Sequence, residues 1–190
     1  PKQLPTEMLC ALPTLQSLNL AMNQNISGEQ LKADWEAIID GESGDNIQIM
    51  YLGYNNLVET PSYDYLKRMS KLGLLDCTNN RLERVHPFGK EVSLTTIYLD
   101  NNRITEISAA EDGYFCGINL METFSCSHNK LTELPDIFTA RSIYGLLSVD
   151  FSYNKIRGFE NGDDFKGINA GQVNISDNYL ETFPSVLFKK

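Results

Sequence analysis

The sequence predicts an α/β fold: a right-handed solenoid shaped like a horseshoe, with a parallel β-sheet on its concave face and mixed helices and loops on its convex face. Two observations predict it. A short strand pattern that ends in an asparagine occurs seven times, at intervals of 22 to 32 residues. Each copy also has only one apolar face, which it cannot bury alone. Repeats of this kind become stable by stacking on one another.

The clearest copy runs from Leu94 to Ile104 and reads LTTIYLDNNRI. Its apolar residues, including Ile97 and Leu99, alternate as in a short strand with one buried face. The side chain of Asn102 then follows in a turn, where an amide can satisfy backbone groups that the turn leaves unpaired. We therefore predict a structural ladder of the equivalent asparagines, which are Asn23, Asn55, Asn80, Asn102, Asn129, Asn154 and Asn178.

The first copy departs from this pattern just after its asparagine. Two residues past the asparagine, the other copies carry Leu or Ile. The first copy has Asn25 at that position, and its apolar residue, Ile26, comes one place late.

These repeats resemble the leucine-rich repeat family, whose motif is L-x-x-L-x-L-x-x-N-x-L, and the resemblance covers nearly the whole chain. It implies a recognition scaffold, as found in receptors, adhesins and intracellular adaptors. The ending from Asn129 to Pro135 is similar to extracellular repeats, which favours a secreted or cell-surface bacterial protein distantly similar to internalins. The long interval between Asn23 and Asn55 departs from the even repeats of internalins, and a cytoplasmic adaptor remains an alternative.

Residues 1–190 are predicted to form a single domain of about seven repeats. A solenoid normally has a polar cap at each end, whereas this sequence shows apolar half-repeats at both ends. We therefore expect a segment of a longer protein. The alternative is that the last half-repeat simply closes the stack.

The charge of the chain disfavours two classes of partner. Its formal net charge is −9 and its pI is near 4.7, and its Lys and Arg residues form no cluster that would suit phosphate backbones. No apolar run approaches the roughly 18 residues that a membrane-spanning helix needs. We predict neither nucleic-acid binding nor membrane insertion.

Two helices are predicted on the convex side. Ser27 and Gln30 have the spacing of a capping box, Trp35 lies on the apolar face of the helix that follows, and Gly41 marks the end of that helix. We expect Trp35 to pack inward against the strands. A second, shorter helix is predicted over Tyr63–Lys71.

The repeat register assigns two of the four cysteines. Cys77 and Cys126 occupy strand positions where other copies carry buried apolar residues, so both are predicted to be buried. They lie two repeats apart, roughly 10 Å by strand spacing, which is too far for a disulfide. Cys10 and Cys116 lie outside the strands. The cysteines therefore indicate neither an oxidising nor a reducing compartment.

The residues that alternate with the buried strand positions should face the concave side. Aromatic side chains beside carboxylates on a rigid sheet are typical of a protein-binding surface. A protein with a basic or mixed surface is the favoured partner, and a carbohydrate stacked on a tyrosine is the second. Alternatively, the tyrosines only shield the sheet, since tyrosine is favoured on strands.

The predicted binding residues are Ile49, Tyr51, Leu74, Asp76, Tyr98, Asp100 and Asp150. The predicted rim of this face, just before the asparagines, is Tyr54, Asn79, Asn101, His128 and Tyr153.

The sequence contains few of the residues and motifs that catalysis requires. It contains only two histidines, and no phosphate-binding glycine loop or C-x-x-C motif is present. Cys126 and His128 are close in sequence, but the register places Cys126 inside and His128 in a turn. We predict no catalytic residues, metal or cofactor.

The predicted function is a non-catalytic protein-binding module. The alternative is a structural spacer or regulatory arm of a larger protein whose activity lies outside this chain.

Overall fold

The sheet is the central element of the fold. The computed structural model describes residues 3–88, 93–107, 120–135, 146–158 and 170–181. Over these residues seven three-residue strands form one parallel sheet in chain order, which confirms the predicted solenoid. The strands are β1 (Ser17–Asn19), β2 (Ile49–Tyr51), β3 (Leu74–Asp76), β4 (Thr96–Tyr98), β5 (Thr123–Ser125), β6 (Ser148–Asp150) and β7 (Gln172–Asn174).

The strands pair without any slip in register. The first, second and third residues of each strand pair with the corresponding residues of the next. The central residue points into the core, and Leu75, Ile97 and Phe124 are completely buried. In β7, the last of the described strands, the central residue Val173 is 39% exposed.

The long first interval contains the helix predicted there. Helix α1 (Thr6–Cys10) precedes β1, and α2 (Gly28–Asp40) follows it. The Ser27 hydroxyl accepts a hydrogen bond of 3.2 Å from the Gln30 N–H, as predicted, and Trp35 is buried. Only half of the capping box forms, since the Gln30 amide donates to Asp34 at 2.8 Å instead. None of the described helices is both long and apolar enough to cross a membrane.

The second predicted helix is shorter than expected. A 3₁₀ turn over Gly44–Asn46 follows α2, and α3 then covers only Tyr63–Leu66. The extension to Lys71 was wrong. After Leu66 the backbone tightens, because the Met69 N–H donates to the Leu66 carbonyl three residues back, at 2.9 Å. This tighter turn still buries both Leu66 and Met69 completely.

An asparagine in the turn after each strand from β2 to β7 bridges two repeats. The Asn102 side-chain nitrogen donates to the carbonyls of Leu99 in its own repeat and Cys77 in the preceding one, each at 3.0 Å. Its oxygen accepts from the Leu82 N–H at 2.9 Å. The same three kinds of bond are made by Asn80, Asn129, Asn154 and Asn178.

The first copy departs from this arrangement where its sequence departs. The Asn55 oxygen accepts from the Asn23 N–H at 2.8 Å, whereas in later copies the donor lies two residues beyond the asparagine. The Ile26 N–H instead bonds the Asn23 carbonyl at 2.9 Å. Asn56 then donates to the Ile26 carbonyl at 3.2 Å. This shifted turn still buries Ile26, which is 1% exposed.

The cysteines of the strands are core residues. Cys77 and Cys126 are free and completely buried, as predicted. Burial raises the pKa of both thiols, because a thiolate is poorly solvated there. Cys10 is also free and donates to the Ala37 carbonyl at 3.2 Å. Cys116 lies outside the described residues.

Removing one member of the ladder should destabilise the whole stack. Asn102→Ala leaves the buried Leu82 N–H without its acceptor and removes one of the two asparagine donors from each of the Leu99 and Cys77 carbonyls. We expect a loss of about 1–3 kcal/mol in the free energy of unfolding. Denaturant unfolding measures this loss. Asn25→Ala is the matched control, because Asn25 is exposed and outside the ladder. Equal stability of the two variants would contradict the proposed role of the ladder.

The start of α2 packs against the second repeat too closely for a side chain. A Cβ atom on Gly28 would lie 2.3 Å from the Asn56 carbonyl oxygen. We expect Gly28→Ala to destabilise the protein by about 1–3 kcal/mol through overpacking. Gly158→Ala is the control, because a Cβ there would meet nothing within 4 Å. Thermal melts that shift equally for both variants would refute this packing.

Candidate functional site

The strand register brings five of the seven predicted binding residues together. Ile49 and Tyr51 lie in β2, Leu74 and Asp76 in β3, and Tyr98 in β4. We call these five half-buried residues the concave cluster. The two remaining predicted residues lie apart from it: Asp100 comes two residues after the end of β4, and Asp150 ends β6.

Within the concave cluster, one carboxylate stands between two tyrosines. Asp76 pairs in register with Tyr51 on one side and with Tyr98 on the other. Adjacent strands lie about 4.8 Å apart, so the two tyrosine backbones are roughly 10 Å from each other. Ile49 and Leu74 form the neighbouring registered pair on the same face, which places an apolar patch directly beside the carboxylate.

The carboxylates also hold the turns that follow the strands. One Asp76 oxygen, Oδ1, accepts from the Thr78 N–H at 2.9 Å. The equivalent oxygen of Asp150 accepts from the N–H and hydroxyl of Ser152, at 2.8 and 2.6 Å. The second Asp150 oxygen accepts from Asn174 at 2.9 Å, so both oxygens of Asp150 are engaged.

The carboxylate of Asp100 has a third pattern of hydrogen bonds. A single oxygen accepts three hydrogen bonds, from the Ser127 N–H and hydroxyl at 2.7 Å each and from the Ser125 hydroxyl at 2.5 Å. Sequence reasoning counted all three acids as binding residues. The D-x-T and D-x-S spacings of Asp76 and Asp150 are signals that could have revealed their role in the turns. Asp100 has no such local signal, because its donors lie 25 and 27 residues away in the next repeat.

The residue before each ladder asparagine has a left-handed backbone. The φ values lie between 52° and 64°, although none of these residues is glycine. Such a conformation costs roughly 1–2 kcal/mol for an L-residue. The sequence predicted some of these positions as a rim but did not reveal their conformation. His128 and Tyr153 stack there with ring centroids 4.1 Å apart. The seven residues are Met22, Tyr54, Asn79, Asn101, His128, Tyr153 and Asp177.

A charged group on the convex side was not foreseen. The Lys32 ammonium donates to one oxygen of Glu59, and His86 Nε2 lies 3.2 Å from the other, outside hydrogen-bond geometry. The hydrogen bond from Lys32 lowers the pKa of the Glu59 carboxyl, and His86 adds to this effect, while partial burial opposes it. Among the described residues, no three His, Cys, Asp or Glu side chains are grouped closely enough to hold a metal ion.

Stacked parallel strands, each followed by a bridging asparagine, define a leucine-rich repeat solenoid. The chain belongs to the leucine-rich repeat family, and comparisons with known proteins show the same. A leucine-rich repeat protein from Bacteroides eggerthii superimposes with a TM-score of 0.81 and is 45% identical over 98% of this chain. One from Bacteroides thetaiotaomicron gives 0.81 and 47% over the same share.

A curated relative is more distant. Rat lumican is 33% identical over 177 residues, which is 93% of this chain. No family model matches the chain. The chain spans 46% of the length of rat lumican and 31% and 23% of the two Bacteroides proteins. An internalin-like character stays a prediction.

Glu59 should make stability depend on pH in one direction. Its folded pKa lies below the ordinary value of 4.5, so its contribution is present above that value and is lost as pH falls through the folded pKa. We expect Glu59→Gln to lower the melting temperature at neutral pH and to approach the wild type in acid. Glu83→Gln, at an exposed position, is the control. A deficit that stays constant in acid would contradict the ion pair.

Proposed function

We propose that this chain is a non-catalytic protein-binding module that uses the concave side of its sheet. The observation that carries this proposal is the concave cluster, in which aromatic and aliphatic side chains remain half-buried on three adjacent strands. Large aromatic side chains surrounded by packed neighbours are the residues that dominate binding energy in protein interfaces.

The rigidity of the scaffold supports this proposal. Tyr51 and Tyr98 end strands that are fixed in register with their neighbours. Bridging asparagines donate to the carbonyls of Leu52 and Leu99 and so fix the turns that follow. Ordering a flexible surface costs free energy on association, and a surface that is already ordered avoids most of that cost. The cluster is therefore suited to recognition without rearrangement.

Charge favours a basic or mixed protein surface as the partner. Among the described strand residues that face the concave side there is no Lys or Arg, while Asp76 and Asp150 are present. In a chain with a net charge of −9, such a face repels phosphate backbones, so nucleic acid is disfavoured. A sugar ring stacked on Tyr51 or Tyr98 is the second candidate ligand.

The alternative function is a structural spacer or regulatory arm of a larger protein. The chain spans less than half the length of rat lumican and less than a third of the Bacteroides proteins. An extracellular or cell-surface location is also part of the proposal. It rests on the similarity of the ending at Leu134 and Pro135 to extracellular repeats.

The test compares capture of a partner by the wild type and by the double variant Tyr51→Ala/Tyr98→Ala. Proteins captured from cell-envelope and host extracts are identified, and their affinities are then measured with purified material. We expect the double variant to lose at least about tenfold in affinity, because two hot-spot side chains are removed. Its melting temperature should stay close to that of the wild type, since neither tyrosine is in the core.

The matched control is Leu147→Ala/Tyr179→Ala, which removes two exposed apolar side chains outside both the concave cluster and its rim. This control should retain full affinity. Partners that bind both double variants as tightly as the wild type would move the binding surface away from the concave face. Binding to an RNA oligonucleotide with comparable affinity would contradict the electrostatic part of the proposal.

A further inference from the structure

We infer that Tyr51, Asp76 and Tyr98 form a site for one arginine side chain of a protein partner. The inference rests on the proposed function and deepens it, because it names the chemical group that the concave face recognises. The three residues are the last residues of β2, β3 and β4, and they pair directly across the sheet.

The spacing of the two tyrosines suits one cation between them. Their backbones are separated by two strand spacings, roughly 10 Å. A cation placed midway, over Asp76, therefore lies laterally about 5 Å from the backbone of each tyrosine. A ring that stands on the concave side of the sheet can then approach the cation within the range of about 6 Å in which cation–π attraction operates. Attraction to two aromatic rings and a carboxylate then acts on the same charged group.

The carboxylate of Asp76 has capacity left for such a ligand. Its Oδ1 atom accepts one hydrogen bond, from the Thr78 N–H, and no described residue donates to Oδ2. Asp150, in the same position of β6, has donors on both oxygens. Asp100 has three donors on one oxygen. Asp76 is thus the least satisfied acid on this face.

No cation of the described chain competes for this site. The described ion pairs of Lys and Arg use Glu59, Asp64 and Asp40, and none uses Asp76. The described cation–π contact, between Lys67 and Tyr63, also lies outside the concave cluster. The site therefore fits a cation supplied by another molecule.

Arginine fits this site better than lysine. The guanidinium is planar, stacks on aromatic faces and donates paired N–H groups to a carboxylate, whereas an ammonium is a compact and strongly hydrated charge. The aliphatic stem of arginine also needs apolar surface. Ile49 and Leu74, paired on the same face beside Tyr51 and Asp76, provide that surface.

The test uses a defined probe and the tyrosine resonances of the protein. The chain, with isotope-labelled tyrosine rings, is titrated with an acetylated and amidated Gly-Arg-Gly peptide and followed by NMR. We expect saturable shifts at Tyr51 and Tyr98. The same peptide with citrulline, which has the shape of arginine without its charge, should produce no saturable shift. A lysine peptide should bind several-fold more weakly than the arginine peptide.

Two pairs of variants distinguish a loss of arginine binding from a loss of folding. Asp76→Asn keeps an oxygen for the Thr78 N–H and removes the charge, and we expect affinity to fall about tenfold or more, as for the loss of a charged hydrogen bond. Asp45→Asn makes the same change at an exposed position in the 3₁₀ turn before β2, outside the concave face, and should have no effect. Tyr98→Phe should retain binding, and Tyr98→Leu should lose most of it. Melting curves confirm that each variant is folded.

Several outcomes would overturn the arginine site: no saturable shift, equal binding of the citrulline or lysine peptide, or equal effects of Asp76→Asn and Asp45→Asn. These outcomes are distinct from failure of the proposed function. If a protein partner still requires Tyr51 and Tyr98 while the arginine peptide does not bind, the concave face binds proteins by other contacts. If the peptide binds but protein partners bind the Tyr51→Ala/Tyr98→Ala variant as tightly as the wild type, the proposed function fails.

Discussion

The structure depends on how the backbone is satisfied where each strand ends. The turn there leaves carbonyls and an N–H inside the stack, and unpaired buried groups of this kind are costly. One asparagine satisfies groups from two repeats at once, as Asn102 does for Leu99, Cys77 and Leu82. Because each asparagine from Asn55 to Asn178 donates to the preceding repeat, the ladder fixes the register of the whole sheet.

The same stacking explains why left-handed residues are tolerated at the rim. Tyr54, with a φ of 55°, donates its N–H to the Thr78 carbonyl of the next repeat at 2.8 Å. His128, with a φ of 52°, does the same to Ser152 at 3.0 Å. Strained conformations persist where the surrounding structure fixes them. In this solenoid the next repeat supplies that restraint, so a bulky side chain can occupy a position that usually favours glycine or asparagine.

The sequence predicted those features that repeat or that depend on nearby residues. The strands, the order of the sheet, the buried Cys77 and the start of α2 all follow from periodicity or from local capping. The early end of α3 was missed because bonds of a tighter turn replace helical ones after Leu66. The Lys32–Glu59 pair joins residues 27 apart, in elements with no shared pattern, so no local signal could have revealed it.

Internal hydrogen bonding also divides the concave face. Beyond β4 the polar side chains largely satisfy one another, as Asp150 does with Ser152 and Asn174. A partner that binds there must displace existing hydrogen bonds, and it gains little from groups that are already paired. Around Asp76 the situation is reversed, because its Oδ2 atom has no described donor and aromatic residues flank it. The free energy available for binding a partner is therefore concentrated on β2 to β4, although all seven strands share one backbone geometry.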